Sequence, residues 1–113
     1  LLQQIADSKT GSFLAILKLF GPRDEPYLSF ASEGYTLALD FPNCSGTEAL
    51  FQKLDEIVVQ SGGRLYLTKD ARMSKSMFEA GYLESGLFKE VKRRIDPENR
   101  FTSLQAARLG LIA

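Results

Sequence analysis

Histidine is absent from the 113 residues. That removes the commonest general base and metal ligand, and with them nucleophilic sites built on a Ser-His or Cys-His pair. One cysteine, Cys44, allows neither an internal disulfide nor a zinc knuckle, and no metal is expected. Net charge is lacking too: 14 basic residues balance 14 acidic ones, whereas a broad nucleic-acid footprint wants a basic excess. No run of about 18 apolar residues occurs, so no helix is expected to span a membrane. The glycines form no G-x-G-x-x-G and no P-loop, and no carboxylate pair has the spacing of an acid/base couple. The expectation is a soluble protein, cytoplasmic or membrane-peripheral, with the compartment left open.

What is present is a normal globular balance of 44% hydrophobic and 25% charged residues. The length suits one domain with a modest core. Leu1, Leu2 and Ile5 sit at i, i+1 and i+4, as in the last turns of an amphipathic helix. No charged region and cleavage site mark a signal peptide, so the expectation is a chain that starts in the middle of a structure.

The run FLAILKLF, Phe13 to Phe20, is apolar apart from Lys18 and is stopped by Gly21-Pro22, which predicts a strand. The segment GPRDEPYLSFASEG reads as turn-rich and polar. YTLALDF, Tyr35 to Phe41, alternates as a half-buried strand does and ends at Pro42. The two strands are expected to pair antiparallel. Ser45 and Glu48 form an S-x-x-E capping box, followed by Ala49, Leu50, Leu54, Ile57 and Val58 at helical spacing to about Gln60. Ser61-Gly62-Gly63 stops that helix. Arg64 to Thr68 reads as a short strand. Ser74 to Tyr82, Gly86 to Ile95 and Ser103 to Leu109 read as short helices, with Asp96-Pro97 as a cap and first-turn proline. The fold class is therefore α+β: an antiparallel sheet with helices on one face, in an incomplete split βαβ unit, plus C-terminal helices. The absent opening strand predicts an exposed sheet edge open to pairing with a second copy.

Alternate strand residues share a face. Phe13, Ala15, Leu17, Leu19, Tyr35, Leu37, Leu39 and Phe41 form an apolar surface expected beneath helix 47–60. The opposite face carries Leu14, Ile16, Lys18, Phe20, Thr36, Ala38 and Asp40. Two readings of that mixed face stand side by side. One is a solvent face with Lys18 paired to Asp40 across the strands; the other is a wall of a pocket or of a domain contact. Lys69, Asp70 and Arg72 pose a similar choice. Either a short strand surfaces into solvent, or it delivers a lysine to a site. Lys89, Lys92 and Arg93 share a helix face, read as solvated, with a phosphate or anionic-lipid contact as the alternative. Cys44, beside a helix start, reads as a bystander.

Four stretches carry a resemblance: FLAILKLFGP, GYTLALDFP, GGRLYLTKDAR and VKRRIDPENRF. In this order they resemble the C-terminal part of FAD-linked oxidases of the vanillyl-alcohol oxidase type, in particular the decaprenylphosphoryl-β-D-ribose 2′-oxidase subfamily. The resemblance implies that residues 1–73 are the second half of a substrate-covering cap domain. Residues 74–113 are then a helical segment returning to an FAD-binding domain outside this chain, its partner in the same parent chain. Tyr66 and Lys69 match positions beside flavin and substrate, with Lys69 the implied catalytic group. Leu14, Ile16, Lys18, Phe20, Thr36 and Ala38 match positions that line the substrate pocket. Mycobacterial members carry asparagine where Thr36 stands and cysteine where Ala38 stands, so the implied pocket differs in shape and polarity. The implied substrate is a sugar or sugar-lipid hydroxyl, and the fragment alone is expected to be inactive and to bind FAD poorly. The competing expectation is a stand-alone α+β module that binds a ligand or dimerises without redox chemistry.

Overall fold

A computed structural model describes residues 1–22 and 27–112. Its two antiparallel strands and five α-helices make the protein α+β, as the residue pattern predicts. The contacts fall into two compact units. The first comprises Leu1–Asp24 and Ala31–Ser61, and the second Glu25–Phe30 and Gly62–Ala113. Within the expected turn-rich segment, residues 23–26 lie outside the described residues.

In the first unit, β1 (Leu14–Phe20) and β2 (Gly34–Asp40) pair antiparallel, from Leu14 opposite Asp40 to Phe20 opposite Gly34. Ser12 fastens one end of the ribbon. Its Oγ accepts from the Asp40 amide at 2.9 Å and donates to the Leu14 carbonyl. The register sets Lys18 opposite Thr36 and Asp40 opposite Leu14. Four residues, about 13 Å of strand, separate Thr36 from Asp40, which rules out the Lys18–Asp40 pair that one of the two readings of this face invoked.

α1 (Leu2–Ser8) ends at Lys9 in the left-handed region, φ 55°. It lies against α2 (Thr47–Gln60), whose Leu50 and Leu54 are buried. The apolar sheet face is covered less than its pattern predicts. Phe41 meets Phe51 of α2 edge-on at 5.4 Å between centroids, but Phe13, Leu17, Leu19 and Tyr35 stay exposed, Phe13 at 85%. A two-stranded ribbon is too narrow to bury a helix face along its length.

The capping box does not form. Gly46 is the N-cap of α2, at φ +93° and without a side-chain cap bond, so Ser45 falls outside the helix and Glu48 one position early. Thr47 Oγ1 instead donates to the Pro42 carbonyl at 2.9 Å and ties the helix start to the end of β2.

In the second unit, Arg64 to Thr68 is not a strand. Residues 63–66 are irregular, and Leu67–Lys69 is a single 3₁₀ turn. The alternation behind the strand reading is real, because Leu65 and Leu67 pack on the core while Tyr66 is exposed. α3 (Lys75–Gly81), α4 (Ser85–Ile95) and α5 (Leu104–Arg108) follow close to their expected bounds. Ser74 caps α3 by accepting from the Met77 amide, and Ser103 caps α5 by accepting from the Ala106 amide. Met73, Phe78, Tyr82 and Leu109 form the buried core, with Phe78 stacked on Tyr82 at 5.2 Å. Asp96 starts no helix and instead closes α4. Its carboxylate accepts from the Lys92 ammonium and from the amides of Arg100 and Phe101, the latter two at 2.8 and 3.0 Å. Lys92, first, and those amides hold the carboxyl below its ordinary value, against the opposing push of burial.

Candidate functional site

An irregular segment leaves backbone groups without ladder partners, and near a core each must find one. In Gly62–Ser74 side chains from the C-cap of α3 and from α5 supply them. The Tyr82 hydroxyl donates to the Leu65 carbonyl at 2.6 Å. Gln105 Nε2 donates to the Leu67 carbonyl at 2.6 Å. Arg64 Nη1 donates to the Ser29 carbonyl at 2.9 Å, and its guanidinium lies 5.3 Å over the Tyr82 ring. The Tyr66 ring leans on Phe30, with 5.0 Å between centroids.

Asp70 closes the 3₁₀ turn. Its Oδ1 accepts from the amides of Arg72 at 2.9 Å and Met73 at 2.7 Å. Its Oδ2 accepts from Arg108 Nη2 at 2.7 Å and, more weakly, from Gln105 Nε2 at 3.4 Å. The same Arg108 guanidinium donates through Nη1 to the Met73 carbonyl. Burial pushes the Asp70 carboxyl up, but Arg108, the Met73 and Arg72 amides and Gln105 outweigh it and hold the group below its ordinary value. Asp70 thus ties down the loop through Arg108. Burial pushes the Tyr82 hydroxyl the other way, up to about 12, partly offset by the charge of Arg64.

Between these anchored residues stands Lys69. It is exposed, and its ammonium has no partner among the described residues. Tyr66, three residues earlier, is 46% exposed. The structure thus brings Tyr66 and Lys69 together on one braced segment of the second unit. It also gathers Leu14, Ile16, Lys18, Phe20, Thr36 and Ala38 on one face of the hairpin in the first unit, where Ile16 stands opposite Ala38 and Lys18 opposite Thr36. Leu14 and Ile16 are 44% and 42% exposed, so the face is an open, mainly apolar surface carrying the Lys18 cation, the Thr36 hydroxyl and, opposite Leu14, the Asp40 carboxylate. Gln105 and Arg108 were not singled out in the sequence. They lie 38 residues from Leu67 and Asp70, and their i, i+3 spacing on α5 is the trace that marks a shared face.

The basic run on α4 is partly spent inside the fold, with Lys89 bonded to Glu79 at 3.2 Å and Lys92 to Asp96. Cys44 is exposed, its Sγ 3.4 Å from Thr47 Oγ1. Among the described residues no helix is long and apolar enough to cross a membrane.

No family model matches the sequence. Over 101 residues, 89% of this chain, the sequence is 39% identical to decaprenylphosphoryl-beta-D-ribose oxidase of Mycolicibacterium smegmatis. Over 112 residues, 98% of this chain, it is 37% identical to a Streptomyces coelicolor protein described as an uncharacterized protein in the mprA 5′ region. The chain spans 22% of the first relative and 30% of the second. It is therefore similar to one part of each of these longer proteins.

Proposed function

We propose that the chain is the C-terminal part of an FAD-dependent oxidoreductase that oxidises a hydroxyl of a sugar or sugar-lipid. Residues 1–73 would be the second half of the substrate-covering domain, and residues 74–113 the return to an FAD-binding domain of the same parent chain. One observation carries the reading: an exposed lysine, Lys69, without a partner among the described residues, ends a 3₁₀ turn held at Leu67 and at Asp70 on either side of it. Likeness to an oxidase across 89% of the chain supports it.

The donor set fits a flavin. A ring system that gathers negative charge on reduction is stabilised by a cation free to face it, and among the described residues Lys69 is unpaired where Lys92 and Arg108 are already engaged. When bound, the flavin would accept a hydride from the substrate carbon. Lys69 would hold positive charge beside the N1/C2 carbonyl end of the ring, and the exposed Tyr66 would lie alongside. Leu14, Ile16 and Phe20 would give the substrate an apolar wall, with Lys18 and Thr36 as its polar contacts and Ala38 leaving room. The 113 residues alone hold no phosphate-cradling loop, so FAD should bind them weakly.

The exposed Phe13, Leu17, Leu19 and Tyr35 favour a second reading, an association module without redox activity. Expression of the longer natural sequence separates the two. A yellow protein that oxidises a sugar hydroxyl is expected, and a colourless one would sink the oxidase reading.

A further inference from the structure

We propose that Gln105 and Arg108 of α5 are positioning residues for Lys69: by gripping the backbone and carboxylate on either side of it, they fix where its ammonium is presented. This rests on the reading of Lys69 as the cation that faces the flavin.

Two side chains one helical turn apart reach three points of one turn. Gln105 holds the Leu67 carbonyl at 2.6 Å, two residues before Lys69. Arg108 holds the Asp70 carboxylate at 2.7 Å, one residue after it, and also the Met73 carbonyl. Lys69 itself has no partner among the described residues. The helix that carries the grip is secured at both ends. Ser103 caps its start. At its end Gly110, φ +67°, lets the Leu111 amide reach the Ala106 carbonyl at 2.9 Å and the Gly110 amide reach the Ala107 carbonyl at 3.1 Å. A helix of five residues has little stability of its own, and Leu109, fully buried in the core, anchors it.

Stability alone does not call for this arrangement. The Arg108–Asp70 pair is part-buried, and a guanidinium–carboxylate pair that loses hydration is often no more stabilising than apolar residues of the same volume. What it adds is direction, because a planar fork with two acceptors admits one orientation. Here that direction sets the turn bearing Lys69.

The test uses sulfite, which adds to N5 of oxidised flavin and leaves negative charge at the N1/C2 end, so its affinity reports the nearby cation without the natural substrate. Sulfite titration of the longer flavoprotein, well below its melting temperature, compares wild type with Lys69→Ala, Arg108→Met, Arg108→Lys and Gln105→Leu. Amide exchange in the 113-residue chain follows Lys69, Asp70 and Met73 in the same variants. The expected result is sulfite binding about tenfold weaker in Arg108→Met and Gln105→Leu, a smaller loss in Arg108→Lys, and faster exchange around Lys69. Arg108→Met or Gln105→Leu with a lowered melting temperature but wild-type sulfite affinity overturns the positioning role. So does unchanged exchange. Wild-type affinity in Lys69→Ala brings down the flavin-facing reading itself, and this inference with it.

Discussion

Tyr82 donates its hydroxyl to the Leu65 carbonyl at 2.6 Å, so a core aromatic at the C-cap of α3 supplies the bond that a neighbouring strand would have made. The ring is fully buried and stacked on Phe78. Tyr82→Phe keeps the packing and removes the donor, leaving a part-buried carbonyl unsatisfied. The expected loss is about 1–2 kcal/mol, read as a lower midpoint in urea with an unchanged slope. A midpoint equal to wild type would mean that water replaces the hydroxyl at no cost.

Acid should weaken the fold through Asp70. Its folded-state carboxyl titrates below the unfolded value, so its contribution to stability is present above the unfolded value near about 4. That contribution is lost as pH falls through the lower folded value. Asp96 is shifted in the same direction and adds to the same acid limb. Melting temperature against pH should therefore fall steeply on the acid side in wild type, less in Asp70→Asn, and least in the double variant with Asp96→Asn. An acid limb of equal steepness in all three would refute the assignment.

The start of α2 offers a contrast between two residues one position apart. Gly46 needs its positive φ, and a Cβ there would meet nothing within 4 Å. Gly46→Ala should then cost about 1 kcal/mol, all of it backbone strain. Ser45→Ala should be neutral to within about 0.5 kcal/mol, since no cap bond from Ser45 exists to lose. A larger effect at Ser45 than at Gly46 in chemical denaturation would restore the capping box.

The open hairpin should make the 113-residue chain associate with itself as its concentration rises. Leu17 is 65% exposed amid Phe13, Leu19 and Tyr35, and both strands of the ribbon are edges. Leu17→Lys should shift light scattering towards the monomer. A wild type that is monomeric at every concentration would contradict this.

The helices were legible because each carries its own signal: apolar spacing in α2, and serine caps at Ser74 and Ser103. The hairpin was legible from one apolar run stopped by Gly21-Pro22 and one alternating run, and its register then decided against the Lys18–Asp40 pair. Residues 64–68 misled because Leu65 and Leu67 do point inward together. Whether such a run becomes a strand depends on who takes its carbonyls. Here the takers, Tyr82 and Gln105, lie 17 and 38 residues away in sequence. The same distance hid Arg108. Asp96 misled for a local reason: a turn after α4 and a cap before a new helix use the same Asp-Pro pair.

The central claim is that Lys69 places positive charge beside a flavin. The most direct test is the two-electron reduction potential of the bound flavin in the longer protein, wild type against Lys69→Met. The account predicts a more negative potential in the variant, because the reduced, anionic ring loses its cation. A potential equal to that of wild type would contradict it.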